Sequence, residues 1–177
     1  LVGSCRIVRL DGIGPDHVLP ALDQVSLNSA GVGIVAPDHP RIREALGALC
    51  DAGVRVVTLA SDIPGIARSA YVGVDNRVAG RTAAQIIGLA AGHRPGEVAV
   101  FLGSGAYHGH REREAGFREV MARDHPDLAL LPAIEIGEDR SRARDRMRRL
   151  LDRSDPVRAV YCIGAGRSGI VEALREA

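Results

Sequence analysis

Short β-branched runs alternate along the chain with longer stretches in which apolar residues recur every three or four positions. The short runs predict strands over residues 5–10, 32–36, 55–59, 71–74, 98–102, 130–136 and 159–163. Most are apolar at successive positions, the pattern of parallel strands covered by helices on both faces. Between them, residues 40–52 predict a helix, because Ile42, Ala45, Leu46, Leu49 and Cys50 fall at i, i+3, i+4, i+7 and i+8, with Pro40 in the first turn and Gly53 as the stop. A second helix follows Asp75 and Asn76, either of which can cap it, and turns Val78, Ala83, Ile86, Ile87 and Ala90 inward until Gly92. Further helices are expected over 110–123, 141–153 and 168–175. The stretch 15–27 is less regular, because Pro20 interrupts an internal hydrogen bond.

Strand, helix, strand repeats make an α/β protein with parallel sheets, since parallel neighbours need a crossover. The rhythm breaks once. Between Thr58 and Tyr71 lies only a polar loop, Ser61 to Gly65, which is how a passage between two lobes reads, so lobes are expected at 1–75 and 76–177.

Composition narrows the chemistry. With 46% hydrophobic and 25% charged residues the chain is of ordinary globular type. All 23 of its basic residues are arginine, which excludes a P-loop lysine and Schiff-base chemistry, and a net charge of +1 makes this segment by itself a poor nucleic-acid binder. Cys5, Cys50 and Cys162 are odd in number and widely spaced, so reduced thiols are expected rather than a disulfide framework or a metal pattern. No run approaches the roughly 20 apolar residues of a membrane span, and the chain does not open as a signal sequence does.

Gly164-Ala165-Gly166-Arg167-Ser168-Gly169 is a literal G-x-G-x-x-G between a predicted strand and helix. The acidic residue expected about 20 positions further on is missing, and Gly103-Ser104-Gly105 holds the same place after an earlier strand, so a turn lining some other ligand site is the preferred reading. An NAD(P)-dependent oxidoreductase stays as an alternative. His108 and His110 have no carboxylate or cysteine at metal-ligand spacing, and no nucleophile elbow or triad order occurs, so neither a metal, a cofactor nor catalysis is expected. The arginines from 140 to 153 interleave with Asp139, Asp145 and Asp152 and read as a solvated helix face. Arg113 stands out. In a helix starting near His110 it shares the inward side with Phe117 and Val120, and a guanidinium there needs either a structural carboxylate or ligand oxygens.

Val56 to Pro64, then Tyr71-Val72-Gly73-Val74-Asp75-Asn76-Arg77-Val78-Ala79-Gly80, then Arg113-Glu114-Ala115-Gly116-Phe117 resemble the ligand-sensing core of lactose-repressor-type (LacI/GalR) transcription regulators and their relatives, the periplasmic ribose-type sugar-binding proteins. The resemblance implies two Rossmann-like lobes with parallel sheets, the periplasmic-binding-protein type I fold, incomplete at both ends. The lobe 1–75 would lack its first strand and helix, and the lobe 76–177 its closing elements. It also implies a sugar-like effector between the lobes, no catalysis, a homodimer, and operator DNA bound through a missing N-terminal helix-turn-helix domain of a cytoplasmic repressor. A periplasmic sugar-binding protein of a transport system is the alternative. By the same resemblance Arg113 holds ligand hydroxyls, Ser61 and Asp62 present polar contacts from the first lobe, and Tyr107 stacks on a sugar face. Ala60 replaces a common Asp, and Arg167 stands where an Asn is expected, which points to a ligand with an anionic group.

Overall fold

The computed structural model describes residues 3–25, 27–92, 94–155 and 157–177. The chain divides into two compact units, Leu1–Gly73 and Val74–Ala177. Both are α/β with parallel sheets.

In the first unit, β1 (Gly31–Ile34), β2 (Arg55–Leu59) and β3 (Ala70–Val72) form a parallel sheet in that order. Helices α1 (Pro15–Asp23) and α2 (Pro40–Asp51) pack with one another and bury Val18, Leu22, Ile42, Leu46 and Leu49 against Ile34 and Val56. Both helices share one core, so within this unit the sheet is covered on one face rather than on the two that its apolar runs suggest. Helix α1 tolerates Pro20 inside it because the helix is short and the ring is exposed. The strand expected over 5–10 is not formed. Its Ile7 is 84% and its Val8 49% exposed, and among the described residues no strand pairs with it, although Leu10 at its end packs against the core of the unit.

The second unit carries α3 (Asn76–Ala91), β4 (Gly96–Leu102), α4 (His108–Asp124), β5 (Leu128–Leu130), β6 (Ile134–Glu135), α5 (Arg140–Leu151), β7 (Val157–Ile163) and α6 (Arg167–Glu176). Strand β4 is the spine, pairing in parallel with β5 through its first residues, with β6 at Phe101 and Leu102, and with β7 along most of its length. Side chains alternate along a strand, and β4 uses both faces. Val98, Val100 and Leu102 join Phe117, Val120 and Met121 beneath α3 and α4, while Ala99 and Phe101 join Ala143, Met147, Ile170 and Ala173 beneath α5 and α6. The run 130–136, expected as one strand, is two, because Pro132 lacks the N–H that would continue the ladder.

Helix α3 presents a face that differs in part from the one its large apolar residues suggest. It buries Asn76, Gly80, Ala84 and Gly88, and Ala83 and Ile87 pack against the core as expected, whereas Val78 is 49% and Ile86 62% exposed. The reason is distance. A Cβ on Gly80 would collide with the Arg113 carbonyl of α4, and one on Gly116 with the Arg77 carbonyl of α3, so the helices cross backbone on backbone. The glycines of Asp-Asn-x-x-Ala-Gly and Arg-x-x-Gly-Phe are thus one packing contact seen from its two sides.

Candidate functional site

Parallel α/β sheets collect functional groups at the carboxyl ends of their strands, where loops lead into helix N-termini. In the second unit these are the loops after β4, β6 and β7.

Arg113 sits in the second turn of α4, half buried. Its Nε donates to Asn76 Oδ1 at 2.6 Å, and among the described residues no carboxylate forms an ion pair with it. Of the two partners open to it by sequence, the structural carboxylate is therefore not what it uses. Asp75 takes the capping role of α3 by accepting from Val78 N–H at 2.9 Å, which leaves the neighbouring Asn76 buried and turned to Arg113. With Nε held, the guanidinium keeps its terminal nitrogens as a planar pair of donors. Tyr161 of β7 stacks on Phe117 with ring centroids 4.5 Å apart. Burial pushes its phenol up while the nearby Arg113 charge pulls it down, so the group stays a neutral donor.

Tyr107 is the N-cap residue of α4, and its side chain makes no capping bond. Its ring lies 5.2 Å from that of His110, tilted by 58°. Burial, and then the charge of Glu138, raise its phenol above the ordinary value. His110 Nδ1 lies 3.0 Å from the Ser104 carbonyl, and its Nε2 faces Glu138 Oε1 at 3.7 Å. Glu138 also accepts from the Ala165 N–H. Burial, then Glu138, raise the thiol of half-buried Cys162, and Arg167 opposes them, so it is a poor nucleophile. Arg167, exposed, is the first residue of α6. Arg113, Tyr107, His110, Glu138 and Arg167 thus gather at strand ends of one sheet. By sequence His110 is weighed only as a metal ligand and Asn76 only as a cap, and Glu138 is passed over. Asn76 had a signal in its Asp-Asn motif, whereas Glu138 had none, since a single carboxylate in a polar loop looks like any other.

The first unit places Ser61 and Asp62 just past β2. Ser61 N–H donates to the Leu59 carbonyl at 2.6 Å around Ala60, whose φ is +58°, a tight and strained reversal for a residue with a Cβ. Ser61 is buried. Asp62 Oδ1 accepts from Thr58 Oγ1 at 2.7 Å and from its own neighbour Ile63 N–H at 2.9 Å, and Oδ2 accepts from Arg68 at 2.5 Å.

The glycine motif serves the fold. Gly164 and Gly166 hold left-handed φ of +100° and +91°, and a Cβ on Gly169 would strike the Arg140 carbonyl of α5. Each glycine has a role that needs no pyrophosphate. The arginines of α5 pair chiefly with α6 rather than with their own aspartates: Arg140 reaches Glu172 at 3.0 Å and Arg144 reaches Glu176 at 2.7 Å. The groove of about 510 Å³ along α6, lined among others by Arg140, Arg167, Glu172 and Arg175, is walled by this network. Among the described residues no three His, Cys, Asp or Glu side chains gather to hold a metal ion, and no helix is long and apolar enough to cross a membrane.

Several solved structures share the fold. An ABC transporter solute-binding protein from Burkholderia graminis, in complex with D-arabinose, superposes with a TM-score of 0.87 at 22% identity, over 94% of this chain and 58% of that one. GanP, a glucose-galactose binding protein from Geobacillus stearothermophilus, gives 0.83 at 22% identity, over 92% and 58%. A sugar-binding protein of a sugar ABC transporter from Bacillus halodurans gives 0.76 at 25% identity, over 93% and 57%. The chain therefore spans less than two thirds of the proteins it matches. No curated protein sequence matches it. The model of the periplasmic binding protein domain matches residues 23–177, most of the chain, and the chain belongs to that family.

Proposed function

We propose that the chain is the ligand-binding core of a sugar-binding protein that serves an ABC transport system. The observation that carries this reading is Arg113: a half-buried guanidinium, held at Nε by Asn76, with donors left over at the carboxyl edge of a parallel sheet. A fork of that kind suits the vicinal hydroxyls of a sugar. Tyr107 offers a partly buried ring to a sugar face, in a chain with only 3% aromatic residues, and Arg167 adds a second cationic donor. Ser61 and Asp62 are the proposed contacts from the first unit. Binding without turnover fits a site whose thiol and phenols stay protonated. Support for transport comes from the company the fold keeps, since the Bacillus halodurans and Burkholderia graminis proteins are binding proteins of ABC transporters, and GanP is a glucose-galactose binding protein.

The second reading is the effector core of a dimeric, cytoplasmic LacI/GalR repressor, favoured by the Asp-Asn-x-x-Ala-Gly and Arg-x-x-Gly-Phe elements. The two readings share a ligand class and part outside this segment, so the residues encoded upstream of Leu1 separate them: a helix-turn-helix for the repressor, an export signal for the transport protein. The shared part is tested by thermal shift of the full-length product against a panel of pentoses and hexoses. A ligand at 100 times its Kd adds about 2.7 kcal/mol, which is roughly 5–10 °C for a protein of this size. No shift with any sugar, together with a shift on NADH, would overturn the sugar reading in favour of the oxidoreductase.

A further inference from the structure

Glu138 adopts φ +61° in the turn between β6 and α5, a conformation that disfavours any residue with a Cβ. The turn folds its side chain back over the strand ends. There Oε2 accepts from the Ala165 N–H, and the carboxylate rests on Gly103 and Gly164, at either of which a Cβ would collide with its oxygens. Its other oxygen, Oε1, faces His110 Nε2 at 3.7 Å, beyond hydrogen-bond distance. The side chain is 29% exposed. Tyr107 and Cys162 both feel its charge, so the carboxylate shares their space beside the proposed sugar contact.

A carboxylate fixed by a backbone donor and a glycine cradle, with one oxygen still able to accept, is a preorganised acceptor. We propose that Glu138 is a charge-selecting residue of the ligand site, which admits sugars that bring a hydroxyl or an ammonium to it and rejects sugar acids. The inference rests on the sugar reading above and goes beyond it by naming the class refused. A hydroxyl or ammonium donates to Oε1. A ligand carboxylate in the same place sets two like charges together in a partly dehydrated site, a repulsive element of the kind specificity uses. Arg113 and Arg167 pull the other way, and by sequence Ala60 and Arg167 point to an anionic ligand, the opposite preference, so the ranking of an acid against its neutral parent decides between the two.

The test titrates the full-length protein calorimetrically with glucose, glucosamine and glucuronate and with their galactose counterparts. The wild type is expected to bind each uronate at least about tenfold more weakly than its neutral parent, and the amino sugar no more weakly than the parent. Glu138→Gln keeps an acceptor for the Ala165 N–H, so it should fold with an unchanged circular dichroism spectrum and close the gap to within about threefold. Uronates bound as tightly as their parents by the wild type, or a gap that survives Glu138→Gln, overturn the proposal. If these sugars and every pentose and hexose of the thermal-shift panel alike fail to bind, the sugar reading falls first and this one with it.

Discussion

The loop after β2 and the loop after β6 each set a carboxylate near the end of a parallel strand, and the two are held differently. Asp62 accepts from a hydroxyl, a backbone N–H and a guanidinium, all in its own unit. Glu138 accepts one backbone N–H and has an oxygen in hand. A carboxylate engaged at both oxygens organises its loop and keeps about one acceptor position for a ligand, whereas one tied by a single oxygen keeps a whole oxygen for a partner that arrives later. The same contrast runs through the arginines: Arg68 is spent on Asp62, and Arg113 is anchored by one nitrogen to a neutral amide.

The largest expected effect removes the scaffold of the second site without touching a polar side chain. Gly80→Leu drives a side chain into the Arg113 carbonyl and should cost more than about 3 kcal/mol, at the upper end of overpacking, because backbone rather than a flexible side chain must move. In urea, amide exchange of α3 and α4 should rise while that of β1 and β2 stays as in the wild type. Exchange unchanged in α4 would show that the crossing is slack. Next comes Asp62→Ala, which strands Arg68 and the Thr58 hydroxyl and should cost roughly 2–3 kcal/mol in the same assay. A loss below about 0.5 kcal/mol would mean that Asp62 is as unengaged as Glu138, and the contrast would fail.

How much of this was legible in the sequence depends on what each feature rests on. β2 is found at Arg55–Leu59, and α2, expected over 40–52, is found at Pro40–Asp51, because burial and end signals agree there. The inward face of α3 is legible only in part: Ala83 and Ile87 pack on the core as periodicity predicts, but periodicity weighs large residues, and the closest contact is made by Gly80, Ala84 and Gly88. Residues 5–10 carry a strand pattern, and among the described residues no strand lies beside them to complete it. Arg113 was visible because its charge conflicts with its position on the helix. Asn76 as its partner was hidden behind an equally good cap, Asp75, and Glu138 depends on a backbone turn that no spacing announces.

Milder substitutions separate the two carboxylates as well. Glu138→Gln should leave stability within about 1 kcal/mol of the wild type, in contrast with Asp62→Ala, because the amide oxygen still accepts from Ala165. A loss equal to that of Asp62→Ala would make Glu138 a structural tie of the same kind. Smallest of all is Arg146→Ala, on the exposed side of α5, which should change neither stability nor sugar affinity beyond the error of measurement.

The central claim is that Arg113 binds ligand oxygens, and the most direct measurement is the calorimetric affinity of full-length Arg113→Ala for the sugar that most stabilises the wild type, with Arg146→Ala alongside. Charge-assisted hydrogen bonds contribute about 1.5–3 kcal/mol each, so affinity should fall roughly 10- to 100-fold or more while the unfolding midpoint moves little. Wild-type affinity in Arg113→Ala, joined to a markedly lower unfolding temperature, would make the arginine a structural partner of Asn76 and contradict the account.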